Sequence, residues 1–125
     1  MPSDYLSARL RSVGHAVRGL ALLVRDEPNA RIHALATVLV VVAGALLHLS
    51  PIEWGLIALA VACVWAAEAL NTAIETLVDL ISPERQPLAG KAKDVAAGAV
   101  LLAACGSVVI GLLVFGPHLL RLFVP

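Results

Sequence analysis

Charge is scarce in this chain. Asp, Glu, Lys and Arg supply 14% of its 125 residues, and hydrophobic residues supply 60%. Soluble domains carry about 25% charged residues, so the deficit excludes an ordinary water-soluble domain and implies an integral membrane protein. The formal net charge is zero. No basic cluster is interleaved with aromatics, which argues against a nucleic-acid partner. Only two cysteines occur, Cys63 and Cys105, both in apolar runs. Their spacing fits no metal motif, and each is expected to be a buried free thiol. The first thirty residues hold no continuous apolar stretch, so no secretory leader is expected there. Neither a GxxxxGK[ST] loop nor a kinase glycine loop is present, so any nucleotide site is of another type.

What is present is helical patterning. Residues 4–25 read as an amphipathic helix, with Leu6, Leu10, Val13, Val17, Leu20 and Val24 forming an apolar seam. Arg11, Arg18 and Arg25 recur every seven residues on another face. Too polar to span, this helix is expected at the membrane surface, its arginines among headgroups, or packed on the transmembrane bundle. Pro28 disfavours helical geometry at Glu27 and breaks the chain there, leaving an acidic residue at a bend. Residues 32–49 form the first candidate span, with His33 at its entry and His48 at its exit, both expected to be interfacial. Ser50, Pro51 and Glu53 make a capping box with proline at the first helical position. The second span follows over 52–81. Ser82, Pro83, Pro87 and Gly90 mark a loop, and a third span covers 92–115. There Ala99, Ala103, Ser107 and Gly111 form a small-residue ladder suited to close helix contact.

The second span ends in a polar stripe. On a helix, Glu68, Asn71, Glu75 and Asp79 fall at roughly 0°, −60°, −20° and +20°, one face about 80° wide. Ionisable groups near hydrocarbon cost about 2.5–3.5 kcal/mol each on insertion scales, so the stripe is expected to line a protein interior or a watery site. A hydrogen-bonded helix contact is one explanation. A cation held between like charges is the other, and it accounts for three carboxylates on one face.

Basic residues set the orientation. Arg9, Arg11, Arg18, Arg25 and Arg31 precede the first span, and Arg85, Lys91 and Lys93 lie between the second and third. The turn at Ser50 has none. The positive-inside rule therefore puts the amino-terminal helix and the second loop in the cytoplasm. Counted from Pro51, Glu68 lies about 25 Å in, near the inner edge of the hydrocarbon, and Glu75 about 10 Å further. One carboxylate can then meet a lipid headgroup while others meet something soluble. Lys91, Lys93 and Asp94 open the third helix, whose amino terminus favours anions. Glu27 and Glu75 are hard oxygen ligands suited to Mg²⁺ shared with phosphate. These features imply an interfacial acidic site for phosphate chemistry. A small oligomeric transporter with an acidic stripe is the rival.

The run EALNTAIETLVD at 68–79, followed by KAKD at 91–94, resembles the signature of the small prokaryotic diacylglycerol kinase family, which includes undecaprenol kinases. The likeness extends from about Gly14, through Arg18, Gly19 and Leu20, to about Phe115. It implies a single all-α membrane domain over residues 1–125: a surface helix plus three transmembrane helices, assembled as a homotrimer with shared active sites. It implies a lipid alcohol as acceptor, ATP as donor and Mg²⁺ as cofactor, at the cytoplasmic face of the bacterial inner membrane. Glu68 matches the family's general base and Asn71 its polar neighbour. Glu75 and Glu27 match the carboxylates that bind Mg²⁺ with ATP. Lys93 matches the lysine on the ATP phosphates, and Asp79 and Asp94 match polar neighbours of the nucleotide. Glu84 falls in the loop that approaches the nucleotide, where Arg85 and Gln86 depart from the usual aromatic–histidine pair. His15 stands at the nucleotide-facing tyrosine of the diacylglycerol enzymes, and Ala8 at their arginine. Arg31, Ile32 and His33 look more like the undecaprenol branch, as does the turn at 49–54. The diacylglycerol branch tends to have a carboxylate at His33.

Overall fold

The structure is a computed structural model, and it describes residues 2–84 and 86–123. Four helices follow one another: α1 (Pro2–Asp26), α2 (Pro28–Leu46), α3 (Pro51–Ile81) and α4 (Pro87–Phe123). Three of them are long and apolar enough to cross a membrane, within Pro28–Leu46, Pro51–Ile81 and Pro87–Leu122. Large apolar side chains such as Leu35, Leu39, Leu102 and Leu113 point outward from α2 and α4. In hydrocarbon that exposure carries no penalty, and the helical backbone satisfies its own polar groups.

The breaks come from local chemistry. Glu27 is extended (φ −101°, ψ 118°) and Pro28 occupies the first turn of α2. Arg31 reaches back over this break. Its Nε donates to the Val24 carbonyl at 3.2 Å and its Nη2 to the Arg25 carbonyl, covering acceptors that the end of α1 leaves open. At the far end of α2, the Leu49 amide bonds to the Gly44 carbonyl at 3.1 Å and the His48 amide to the Ala45 carbonyl at 3.3 Å. This is a Schellman closure, with His48 at φ 53° where glycine is usual. The capping box at Ser50 and Glu53 is formed, and α3 starts at Pro51.

Helices α3 and α4 share the most extensive interface. Ser107 Oγ bonds to the Ala60 carbonyl at 3.2 Å as well as to its own helix at Ala103, so the small-residue ladder lets α4 close on α3. Leu49, Ile57 and Val114 form the buried core, with Val40, Trp54, Val61, Ile110 and Phe115 packed around it. His118 Nε2 meets Glu53 Oε1 at 2.8 Å and ties the end of α4 to the start of α3.

Several expectations are corrected. The loop after α3 is shorter than 82–90, because Pro87 starts α4 instead of preceding it. The helix also runs past residue 115 and through Pro117 to Phe123. Proline there forfeits only the bond to the carbonyl of Leu113, a loss that membrane helices tolerate. Helix α2 runs from Pro28 to Leu46, so it starts before and stops short of the 32–49 expected for the first span. Cys63 and Cys105 are free thiols but exposed on the protomer, not buried.

Candidate active site

The polar stripe on α3 is graded in burial. Glu68 is 1% exposed and Asn71 8% exposed. Glu75 is half-buried and Asp79 exposed. The helix thus carries its acidic face from the bundle interior out to one end. Asn71 Nδ2 donates to Glu75 Oε1 at 3.0 Å, one turn along the helix. Glu68 Oε2, Asn71 Oδ1 and Thr72 Oγ1 are buried without a hydrogen-bond partner among the described residues. Unpaired acceptors of this kind are rare in folded proteins and call for an explanation.

Two further groups converge on Glu68. His33, on α2, brings its Nε2 to 4.0 Å from Glu68 Oε2, with its side chain only 19% exposed. His33, expected at the entry of the first span, thus also faces the buried carboxylate. Glu27, half-buried at the α1–α2 break, and Glu75 are the other carboxylates near Glu68. Glu27 also lines a groove of about 700 Å³ between α1 and α3, beside Thr72 and Thr76. The break at Pro28 is what delivers this carboxylate to the stripe.

A second group lies at the end of α3. Lys93 Nζ is 2.9 and 3.1 Å from the Asp79 carboxylate oxygens. With Ser82, Glu84 and Gln86 they line a hollow of about 420 Å³ under the α3–α4 loop. The remaining candidates are not drawn in. His15 is exposed on α1 and Asp94 on α4, neither hydrogen-bonded among the described residues. Arg85 lies outside the described residues.

No group of three or more His, Cys, Asp or Glu that could hold a metal forms among the described residues. Mg²⁺ does not require one, since it keeps several waters and is bound by one or two carboxylates together with phosphate oxygens. Glu27, the free oxygen of Glu75 and the unpaired Asn71 Oδ1 and Thr72 Oγ1 are hard donors of that kind. The residues present fit the ion.

Sequence reasoning missed the approach of His33 to Glu68 and the contact of His118 with Glu53. The partners are 35 and 65 positions apart, and no local pattern links them. The only signal was the Arg31-Ile32-His33 segment, which both closes α1 and faces the acidic stripe.

The family described as prokaryotic diacylglycerol kinase matches residues 14–115. An undecaprenol kinase of Bacillus subtilis (strain 168) is 46% identical over 114 residues, covering 91% of this chain and 93% of that protein. A diacylglycerol kinase of Synechocystis is 42% identical over 116 residues, 92% of this chain and 66% of that protein. A diacylglycerol kinase of Escherichia coli (strain K12) is 32% identical over 109 residues, 87% and 89% respectively. The match spans the whole acidic stripe and the start of α4, and the chain belongs to the prokaryotic diacylglycerol kinase family of lipid kinases.

Proposed function

We propose that the protein transfers the γ-phosphoryl group of Mg-ATP to the hydroxyl of a membrane lipid alcohol at the cytoplasmic interface. Undecaprenol is the favoured acceptor, and diacylglycerol, giving phosphatidic acid, is the alternative. The observation that carries this reading is Glu68, a carboxylate 1% exposed with one oxygen unpaired, at the inner end of a stripe that opens outward. The similarity to an undecaprenol kinase and the Arg31-Ile32-His33 segment support the choice of acceptor. Membership of a kinase family sets aside the transporter reading.

Glu68 acts as general base and takes the proton of the lipid hydroxyl. Asn71 fixes Glu75 through its amide. Glu27 and Glu75 are the residues that would hold Mg²⁺, which when bound offsets the charge of the nucleotide phosphates. Lys93 exchanges Asp79 for a phosphate oxygen, and Asp79, Glu84, Asp94 and His15 border the nucleotide. Catalysis is mostly positioning and charge neutralisation, as phosphoryl transfer requires.

The working unit is a homotrimer of single-domain chains with sites shared between subunits. Exposure of Leu6, Leu10, Val13, Val17 and Leu20 along α1 supports its role as an amphipathic surface helix. The arginines before the first span and the lysines opening α4 support a cytoplasmic site in the bacterial inner membrane.

The test is acceptor preference. Purified protein in mixed micelles receives labelled Mg-ATP with undecaprenol or diacylglycerol. Preferential label on undecaprenol is expected. Preference for diacylglycerol would replace the acceptor, and label on neither would remove the reading.

A further inference from the structure

His33 meets Glu68 at a separation that suits neither a hydrogen bond nor an open site. Direct hydrogen bonds between nitrogen and oxygen span about 2.7–3.2 Å. The 4.0 Å from His33 Nε2 to Glu68 Oε2 is longer, yet short enough for a single hydroxyl oxygen to touch both. It is the span that one oxygen atom bridges, placed about 2.8 Å from both. Glu68 Oε2 is buried and has no other partner among the described residues.

The gap is held by the helices, not by the two side chains alone. Thr37, one turn along α2 from His33, donates through Oγ1 to the His33 carbonyl at 2.7 Å. The same oxygen accepts the Trp65 indole N–H at 3.1 Å. Trp65 stands one turn before Glu68 on α3. This bridge fixes the register of α2 on α3 at the level where His33 faces the carboxylate. His33 also lines the end of an apolar groove of about 290 Å³, together with Thr37, Val61, Val64 and Trp65. A hydroxyl arriving here can be attached to hydrocarbon without exposing that hydrocarbon to charge.

We propose that the acceptor hydroxyl is seated between His33 and Glu68, which makes His33 a catalytic residue in contact with substrate. This rests on Glu68 being the base, as proposed above. His33 Nε2–H donates to the alcohol oxygen, and the alcohol proton points at Glu68 Oε2. One lone pair of the oxygen is occupied by His33 and the other faces the γ-phosphorus. As the new oxygen–phosphorus bond forms, the alcohol proton passes to Glu68. The bond from the γ-phosphorus to the nucleotide breaks, and its electron pair leaves on ADP. His33 keeps its proton throughout. The donor orients the nucleophile, an effect of positioning rather than of proton transfer.

The experiment compares His33→Leu, His33→Gln and Glu68→Gln in the intact protein in mixed micelles, with undecaprenol and diacylglycerol as acceptors. Lipid is varied at saturating Mg-ATP, Mg-ATP binding is measured directly, and thermal unfolding is followed in detergent. His33→Leu is expected to lose about 10- to 100-fold in kcat/KM for the lipid, the scale of one hydrogen bond to a reacting group. Mg-ATP affinity and the unfolding midpoint are expected to stay unchanged. His33→Gln, which restores an N–H donor, is expected to recover part of the loss. Near-normal lipid kinetics in His33→Leu would overturn the proposal. So would an equal loss of Mg-ATP affinity, or a folded His33→Gln no better than leucine, because either marks a structural role. If Glu68→Gln is inactive and His33→Leu active, only the His33 proposal falls. If Glu68→Gln is active, the base assignment falls and the bridging hydroxyl with it.

Discussion

Lys93 Nζ lies 2.9 and 3.1 Å from the two carboxylate oxygens of Asp79, an ion pair that joins α4 to α3 beside their connecting loop. The side chains are 36% and 66% exposed, so water screens the pair and little stability depends on it. A weakly held lysine is free to change partners. A phosphate oxygen offers it more charge than Asp79 does. Lys93→Met is therefore expected to raise the KM for ATP by about tenfold or more while the protein unfolds at its normal temperature. Steady-state kinetics against ATP concentration checks this. Asp79→Asn, which releases the lysine, is expected to weaken ATP use less than Lys93→Met does.

Asn71 holds Glu75 through an amide–carboxylate hydrogen bond of 3.0 Å and is itself 8% exposed. Asn71→Leu removes the donor and leaves Glu75 to find another rotamer. Activity is expected to fall by about 10- to 100-fold, with a raised requirement for free Mg²⁺. A magnesium titration of initial rates measures this. An unchanged magnesium midpoint would detach Asn71 from the metal-binding group.

Gly44 tests the packing at the other end of the bundle. A Cβ there would stand 2.8 Å from Trp54 Cη2 and 3.0 Å from Leu49 Cδ1. Alanine in place of glycine in an open helix stabilises by about 1 kcal/mol. Here the indole is rigid and Leu49 belongs to the core, so Gly44→Ala is expected to destabilise by about 1–3 kcal/mol. Unfolding in detergent gives the sign directly. Specific activity of the folded fraction should stay at the wild-type level, because the contact is far from the acidic stripe.

His48 sits at φ 53°, in the left-handed region. A residue with a Cβ is disfavoured there by roughly 1–2 kcal/mol, and glycine is not. His48→Gly is expected to raise stability by about 1 kcal/mol, less than the full strain because glycine also loses more freedom on folding. A lower unfolding midpoint would mean that the imidazole makes a contact worth more than the strain.

Features set by neighbours in sequence were legible. Pro28 broke the chain where expected, and Ser50, Pro51 and Glu53 started α3 at the expected residue. The spacing of Glu68, Asn71 and Glu75 put them on one face, and burial follows it. Proline misled where its two roles diverge. Pro87 read as a loop residue, but it occupies the first turn of α4, and Pro117 lies inside a helix that continues. Cys63 and Cys105 lie in apolar runs, and in a membrane protein apolar runs face outward as readily as inward. The pairings His33 with Glu68 and His118 with Glu53 depend on how whole helices pack, which no local pattern records.

Glu68 carries the central claim, that a buried carboxylate on α3 removes the proton of a lipid hydroxyl. The most direct measurement is phosphoryl transfer from labelled Mg-ATP to lipid by Glu68→Gln, which keeps the shape and removes the base. The account expects turnover to fall by about 10²- to 10⁴-fold. Mg-ATP should still bind, and helix content and unfolding should match the wild-type protein. A folded Glu68→Gln that phosphorylates lipid at near wild-type rate would contradict it, and the base would have to be sought elsewhere on the stripe.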